Sequence, residues 1–484
     1  MQNSTKTVEH QGFRGLIYAN HHWFLGFTGG AFALRLFFIL RFPYITFDGV
    51  VYGNLAKNWL LHHVYGLGEG GTIVPTYIRL PGYPAFLAAL WAVFGLEHYN
   101  AVRFAQAILD LGTCFVTADL ARRVIGGAPP ASEAVAKWAF ALTALCPLLA
   151  NYTAVPLTET PAIFLAALAL DCAVAGLQSD NGHALRWWAF CGLAIAAGIY
   201  LRPDGGIMLI AIGGCLLFRL ALKPGKARTF WAGIVLAVCS LGPLLPWTAR
   251  NFSVFHRFQP LAPAHANAPG EFYAAGFDRW MRTWFVDYAS LEDVGFRLDS
   301  EDLDIGLLPA RAFDSDQERN QTEDLLSRYN ETDTMTPELD EQFDALAHQH
   351  IQRHPLRYYV ELPLLRAADL WLRPRAEMLP LSAHWWRFRD DPRDFAWALL
   401  LAAINAFYVL IGIVGLLRWR QVHYAGMLAA FVLLRTVIIT AVAFPEPRYV
   451  LECFPAVIVL GAAGLGLRRQ GRVAGTEVGL KMIE

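Results

Sequence analysis

Long apolar runs with almost no charge recur along the chain, and this recurrence constrains the fold more than any other feature. They occupy 22–41, 82–96, 101–121, 136–152, 158–177, 187–201, 204–220, 229–248, 395–417, 424–444 and 448–467. A helix that crosses a bilayer needs roughly 20 residues, because each adds about 1.5 Å against a hydrocarbon core of about 30 Å. The run 82–96 is entered through the two prolines of PGYP. At that rise it reaches only about 24 Å, so it is expected to lie in the membrane interface.

The basic residues point the same way. Arg122, Arg123 and Lys137, then Lys223, Lys226 and Arg228, then Arg418 and Arg420, and finally Arg468, Arg469 and Arg472 fall between or after apolar runs. The positive-inside rule makes these segments cytoplasmic. They share one side only if 82–96 does not cross. Ten spans then remain, with both termini inside, and Asp48, 151–158, 202–204, 250–393 and 444–447 outside. The run at 23–40 has no small-residue cleavage site after it and is expected to be an anchor. The organisation expected is a cytoplasmic N-terminus 1–21, a transmembrane module 22–249 with a first external loop 42–100, an external loop domain 250–393, C-terminal spans 394–468 and a cytoplasmic tail 469–484. Within the loop domain, 287–345 is acidic and is expected to be solvated surface. The stretch 337–372 patterns as one or two amphipathic helices broken at Pro355 and Pro363.

Composition excludes some classes of function. The chain is 55% hydrophobic and 17% charged with a net charge of -1, so nothing global favours nucleic acid. Its seven cysteines (Cys114, Cys146, Cys172, Cys191, Cys215, Cys239 and Cys453) form no CxxC, and single buried thiols are expected. Inside the spans, Arg35, Asp110, Asp171 and Arg435 are costly unless paired, and Arg35 with Asp110 is a plausible pair.

Four short features share the external face in this topology. The first is Asp48 in FPYITFDGVVYGNLAKNWL, ahead of an amphipathic helix in which Val51, Leu55, Trp59 and the pair His62/His63 recur. The second is YIRLPGYP, with Arg79 and Tyr83. The third is YTAVPLTETP, with Glu159 at the mouth of a span. The fourth is a set of arginines: Arg202 in YLRPDGG, Arg250 in PWTARNF and Arg448 in FPEPRYV. Each has an ordinary alternative. Asp48 and Glu159 suit helix starts, Arg79, Arg202 and Arg448 can snorkel at span ends, and Arg250 reads as an interface anchor. His62 and His63 are adjacent and face different ways, which argues against a two-histidine metal site.

The order of these pieces resembles the GT-C superfamily of membrane glycosyltransferases, nearest the protein O-mannosyltransferase and aminoarabinose-transferase branch. The pieces are an acid in the first loop, RLPGYPAFLAALWAVFG, AVRFAQAILDLGTCFV, LTETPAIFLAALAL, GLAIAAGIYLRPDGG and LPWTARNFSVFHRF. The likeness covers about 20–260 and returns weakly at 340–372 and 445–465. It implies an all-α polytopic membrane fold with about ten spans, two interfacial helices in the first external loop and one large external loop. It also implies an inverting transfer of a sugar from a polyprenyl-phosphate donor to a lipid, glycan or protein acceptor on the outer face. In that reading Asp48 is the general base, Arg79, Arg202 and Arg448 bind the donor phosphate, and Tyr52, Tyr83 and Glu159 contact substrate. Many members pair the loop acid as Asp-Glu or Asp-x-Asp. Here Gly49 and Val50 follow Asp48, so no divalent metal or other cofactor is expected. A bacterial inner membrane, with the site facing the periplasm, is the expected location. The competing readings are a lipid-linked glycan flippase or transporter, which more often shows paired halves with broken helices, and a glycan polymerase or ligase.

Overall fold

The computed structural model describes residues 12–480, except 127–129, 180–183, 223–224, 266, 269, 390 and 443–445. Lys223, Phe444, the first eleven residues of the expected N-terminal segment and the last four of the expected tail lie outside the described residues. So do the side chains of Arg468, Arg469 and Arg472.

Among the described residues, eight helices are long and apolar enough to cross a membrane: His21–Arg41, Tyr99–Ile125, Glu159–Gln178, Ala184–Leu201, Pro203–Leu222, Lys226–Phe255, Pro392–Leu416 and Pro447–Leu467. Each falls on an expected run, and the chain is an all-α multi-pass membrane protein. The run 136–152 is a bent pair, Ala131–Ala144 and Pro147–Ala154, with a 48° break. Pro147 explains the break, since it has no N–H to continue the ladder and its ring crowds the preceding turn. Ala425–Ala441 and Gly82–Phe94 are shorter apolar helices. The latter has 13 residues, about 20 Å at helical rise, and is too short to cross.

The first compact unit comprises 1–262, 407–434 and 451–484. Its packing depends on small residues, which let helices approach closely where lipid offers no hydrophobic advantage. A Cβ on Gly192 would sit 2.6 Å from Cys239 Cβ and 2.9 Å from Leu236 O. Arg35 and Asp110 do meet, with Arg35 Nε 2.7 Å from Asp110 Oδ2, and both are buried. The guanidinium also reaches the carbonyls of Ala31 and Thr143, at 3.2 Å each. Asp171 takes Arg123 at 2.8 Å. The expensive intramembrane charges of this unit are therefore paired. All seven cysteines are free thiols, five of them buried and Cys215 and Cys239 partly so.

One element of this unit was not anticipated. After the Phe47–His62 helix, Gly66–Glu69 pairs antiparallel with Thr72–Pro75 in a two-stranded hairpin. The turn is Gly70–Gly71, with φ of 55° and 83°. Positive φ at both central positions is what a tight two-residue hairpin demands.

The second unit comprises 263–406 and 435–450. It has its own aromatic core, including Phe277, Trp280, Trp284, Phe285, Tyr329 and Phe343. The expectation that 287–345 is solvated surface is corrected here. Ser315 caps a helix, Asp316–Asn330, whose Thr322, Leu325, Leu326 and Tyr329 are buried. Asp316, Glu323 and Asp324 are exposed and mask its apolar period, while Glu318 is buried with the apolar face. The helix Pro337–Arg353 ends before Pro355, as expected. Pro363 does not break the chain. It sits in the first turn of Leu362–Leu372, directly after a π-helical turn at Arg357–Glu361, where the wider turn accommodates the missing N–H.

Candidate functional site

Asp48 lies in the first turn of the Phe47–His62 helix, but it does not cap it. Thr46 is the cap, its Oγ1 accepting from Gly49 N at 3.0 Å. The Asp48 carboxylate instead takes Arg79 Nη2 at 2.9 Å, across 31 residues of chain. The side chains are 25% and 22% exposed, so the pair keeps partial contact with solvent. One helical turn beyond Asp48, Tyr52 is buried and packs edge-on against Tyr83, with ring centroids 5.2 Å apart. Tyr83 donates from its hydroxyl to Gln106 Oε1 at 2.6 Å, which anchors the start of the Gly82–Phe94 helix on the Tyr99–Ile125 span.

A second acid–arginine pair stands in the same region. Arg202 Nη1 is 3.0 Å from Glu159 Oε1, and its Nε is 3.1 Å from Asp204 Oδ1. Glu159 is buried at the first position of its span, so the arginine holds a carboxylate largely removed from water. The charges of both pairs bear on Tyr52. Its hydroxyl is pushed up to about 12, first by burial and then by the Asp48 carboxylate, with Glu159 adding to the rise and Arg79 and Arg202 opposing it. Burial also holds the Tyr83 hydroxyl well above its ordinary value. Both phenols stay protonated at physiological pH and can donate a hydrogen bond, but neither can act as a base.

The backbone that positions these groups is tightly fitted. A Cβ on Gly82 would come within 2.5 Å of Tyr200 O. Glycine therefore lets the helix carrying Tyr83 start against the turn that carries Arg202. Arg250, expected to be an interface anchor, has a more specific task. Its guanidinium donates to Thr76 O at 2.8 Å and Tyr65 O at 2.9 Å and lies 5.1 Å from the Trp247 ring centroid. It ties both ends of the hairpin to the end of the Lys226–Phe255 span.

An apolar cavity of about 780 Å³ borders this region, lined by Trp59, Tyr65, Phe86, Phe164, Tyr200 and Trp247 among others, with Arg250 and His63 as its cationic or polar members. Pro81, Pro161 and Leu201 also line it. Pro81 and Pro161 follow Arg79 and Glu159 by two positions and Leu201 precedes Arg202, so the segments that carry the charged pairs also form the cavity wall.

Six of the seven site candidates (Asp48, Tyr52, Arg79, Tyr83, Glu159 and Arg202) are in the first unit, and five of them bear on Tyr52 or pack against it. The seventh, Arg448, is in the second unit. There its Nε lies 2.8 Å from Glu446 Oε2 and its guanidinium 5.4 Å from the Tyr449 ring centroid. Sequence reasoning did not single out Asp204 or Gln106. Asp204 follows Arg202 in RPDGG and could have been found by asking what neutralises that arginine. Gln106 looks like an ordinary polar residue in a span, and only its buried contact marks it.

Residues 78–247 match the model of a family described as dolichyl-phosphate-mannose-protein mannosyltransferase. This is well under half of the chain. The matched region includes Arg79, Tyr83, Glu159 and Arg202, while Asp48 and Arg448 lie outside it. No curated protein sequence matches the chain. Among solved structures it is similar to ArnT from Cupriavidus metallidurans bound to undecaprenyl phosphate, at 15% identity and a TM-score of 0.40, covering 93% of this chain and 79% of that one. The apo form of the same protein aligns at 15% identity and a TM-score of 0.38, covering 93% and 78%. The archaeal oligosaccharyltransferase AglB from Archaeoglobus fulgidus, in complex with an inhibitory peptide and a dolichol-phosphate, aligns at 12% identity and a TM-score of 0.49. That alignment covers 93% of this chain and 50% of that one.

Proposed function

We propose that this chain, which resembles the GT-C membrane glycosyltransferases and carries the mannosyltransferase-family pattern over 78–247, transfers a sugar from a polyprenyl-phosphate donor to an acceptor hydroxyl on the outer face of a bacterial inner membrane. One observation carries the reading. A solvent-accessible carboxylate paired to an arginine, and a second arginine on a buried glutamate, surround one tyrosine beside an apolar cavity.

The chemistry divides among these groups. The prenyl tail occupies the apolar cavity, exchanging lipid contacts for protein contacts of the same apolar kind. The donor phosphate draws Arg79 and Arg202, whose planar forks suit phosphate and keep their charge at any working pH. Drawing Arg79 away from Asp48 leaves the carboxylate free to accept the acceptor's proton, so donor binding itself prepares the base. The acceptor oxygen forms its bond to the anomeric carbon as the bond from that carbon to the phosphate oxygen breaks. Polyprenyl phosphate leaves with the electron pair, and a single displacement inverts the anomeric centre. The growing negative charge on the leaving oxygen is met by fixed cations, where preorganised stabilisation is worth most. Tyr52, protonated throughout, donates to substrate.

The reading is tested by reconstituting the purified chain in nanodiscs with short-chain polyprenyl-phosphate sugars and following acceptor glycosylation without added metal. Transfer is expected under those conditions. Transfer that appeared only on adding magnesium or manganese would mean that the phosphate is held by a metal and not by the arginines.

A further inference from the structure

We propose that the second unit holds one divalent transition-metal ion, zinc by its donor set, bound by Asp314, Glu318 and His350 with His354 in reach. The inference rests on this unit alone and is independent of the transfer reaction.

The donors come from two helices. Asp314 precedes the Ser315 cap of Asp316–Asn330, and Glu318 lies in that helix's first turn. His350 and His354 stand one turn apart at the end of Pro337–Arg353. One donor atom each from Asp314, Glu318 and His350 falls within 4.8 Å of the others. His354 Nε2 is 3.6 Å from Asp314 Oδ2. Tetrahedral zinc, with bonds of about 2.0–2.2 Å, separates its ligand atoms by about 3.4 Å, so an ion would require the touching Glu318 and His350 atoms to move apart while the Asp314 distances already suit it. The His350 and Glu318 side chains are only 4% and 6% exposed.

The orientation of His350 supplies an independent argument. Thr283 Oγ1 lies 2.7 Å from Trp280 O, a carbonyl that can only accept, so the hydroxyl proton lies between those oxygens. The same Oγ1 is 2.7 Å from His350 Nδ1 and must therefore accept from it. With Nδ1 donating to Thr283, Nε2 is the nitrogen that faces Glu318 Oε1, which it touches, and Asp314 Oδ2 at 3.9 Å. The carboxylate oxygens and this nitrogen converge on one place where they share a cation, either a proton or a metal ion. A hydrogen bond that fixes the tautomer in this way is the usual outer support of a metal-bound imidazole.

The carboxylates divide their oxygens accordingly. Glu318 Oε2 takes Arg353 at 3.1 Å and Asp314 Oδ1 takes Arg357 at 3.3 Å. The inner oxygens, Glu318 Oε1 and Asp314 Oδ2, face the histidines. Asp314 Oδ2 is buried with no hydrogen-bond partner among the described residues. The arginines thus hydrogen-bond or pair with the outer oxygens, and although Arg353 Nη1 also stands 3.5 Å from Asp314 Oδ2, it makes no hydrogen bond there. Two nitrogen and two oxygen donors suit zinc better than calcium or magnesium, which take oxygen shells. The ion would join the start of one helix to the end of the next and brace the unit's core.

The test uses the full chain, purified without a polyhistidine tag, equilibrated with zinc, and measured for bound metal by mass spectrometry and for thermal unfolding. About one zinc per chain and a raised melting temperature are expected. Cobalt substitution should give tetrahedral absorption bands. His350→Gln should weaken zinc binding by about 100-fold or more, beyond the usual loss for an outer-shell partner. Asp314→Asn, at a less buried position, provides a second variant should the first misfold. No stoichiometric zinc in the wild-type chain would overturn the proposal, as would zinc binding unchanged in Asp314→Asn.

Discussion

Replacing Asp48 with Asn separates the two tasks that its geometry permits. The carboxylate pairs with Arg79 at 2.9 Å, and both side chains are partly open, at 25% and 22%. An ion pair of that kind contributes about 0–1 kcal/mol to stability, against a total of about 5–15 kcal/mol for a folded domain. The variant should therefore insert and fold. Loss of a general base costs about 10²–10⁴ in rate, equivalent to about 3–5 kcal/mol of barrier. The catalytic effect thus exceeds the structural one severalfold and can be read without ambiguity. Donor affinity should hold or improve, because Arg79 no longer divides its charge between carboxylate and phosphate. The assay is single-turnover transfer in nanodiscs, with donor binding measured in parallel on the same preparation. A well-folded Asp48→Asn protein with turnover within about threefold of wild type would show that the carboxylate only positions Arg79, and the base would have to be sought elsewhere.

Three further outcomes are expected. Arg202→Ala should weaken donor binding and slow transfer together, since it meets the phosphate in both ground and transition states and also strands buried Glu159; titrating donor against rate separates the two effects. Gly82→Val places a side chain against Tyr200 O, where a Cβ alone would sit 2.5 Å away, and should lower the melting temperature at a cost of about 1–3 kcal/mol while reducing transfer. Asp278, in the second unit, has its carboxyl pushed up to about 7, chiefly by burial. The unfolded chain loses that proton near 3.8, so from about pH 4 to 7 folding becomes less favourable as pH rises, and the loss is complete above 7. Asp278→Asn should therefore raise the melting temperature at pH 8 more than at pH 4. An equal shift at both pH values would contradict the assignment.

Much of the fold was legible because a bilayer imposes a length. Eight of the ten expected spans followed from the roughly 20-residue requirement, and Gly82–Phe94 from its failure to meet it, whereas 136–152 is a bent pair and 424–444 gives only the shorter helix Ala425–Ala441. The Arg35–Asp110 pair followed from the cost of isolated charges in lipid. Local signals were missed where a stronger pattern stood nearby. The Gly70–Gly71 turn lay between an amphipathic helix and a proline-rich segment, and the hairpin went unnoticed. The helix Asp316–Asn330 was hidden because its polar face carries most of its residues. Spacing offered the candidate residues as a list but not as pairs. Nothing in spacing joins Asp48 to Arg79 or Glu159 to Arg202, because the partners are brought together by the hairpin and by span packing. The carboxylates and histidines near Asp314 were lost for the same reason, as two short i,i+4 pairs separated by most of two helices.

The central claim is that this membrane protein breaks the bond between a sugar and a polyprenyl phosphate. The most direct measurement incubates the reconstituted chain with a doubly labelled polyprenyl-phosphate sugar and a crude envelope acceptor, then separates lipid from glycan. The account predicts equal amounts of free polyprenyl phosphate and sugar-bearing acceptor, with the anomeric configuration inverted and both products formed about 10²–10⁴ more slowly in Asp48→Asn. Intact donor recovered on the opposite leaflet, with no polyprenyl phosphate released, would show a carrier and contradict the account.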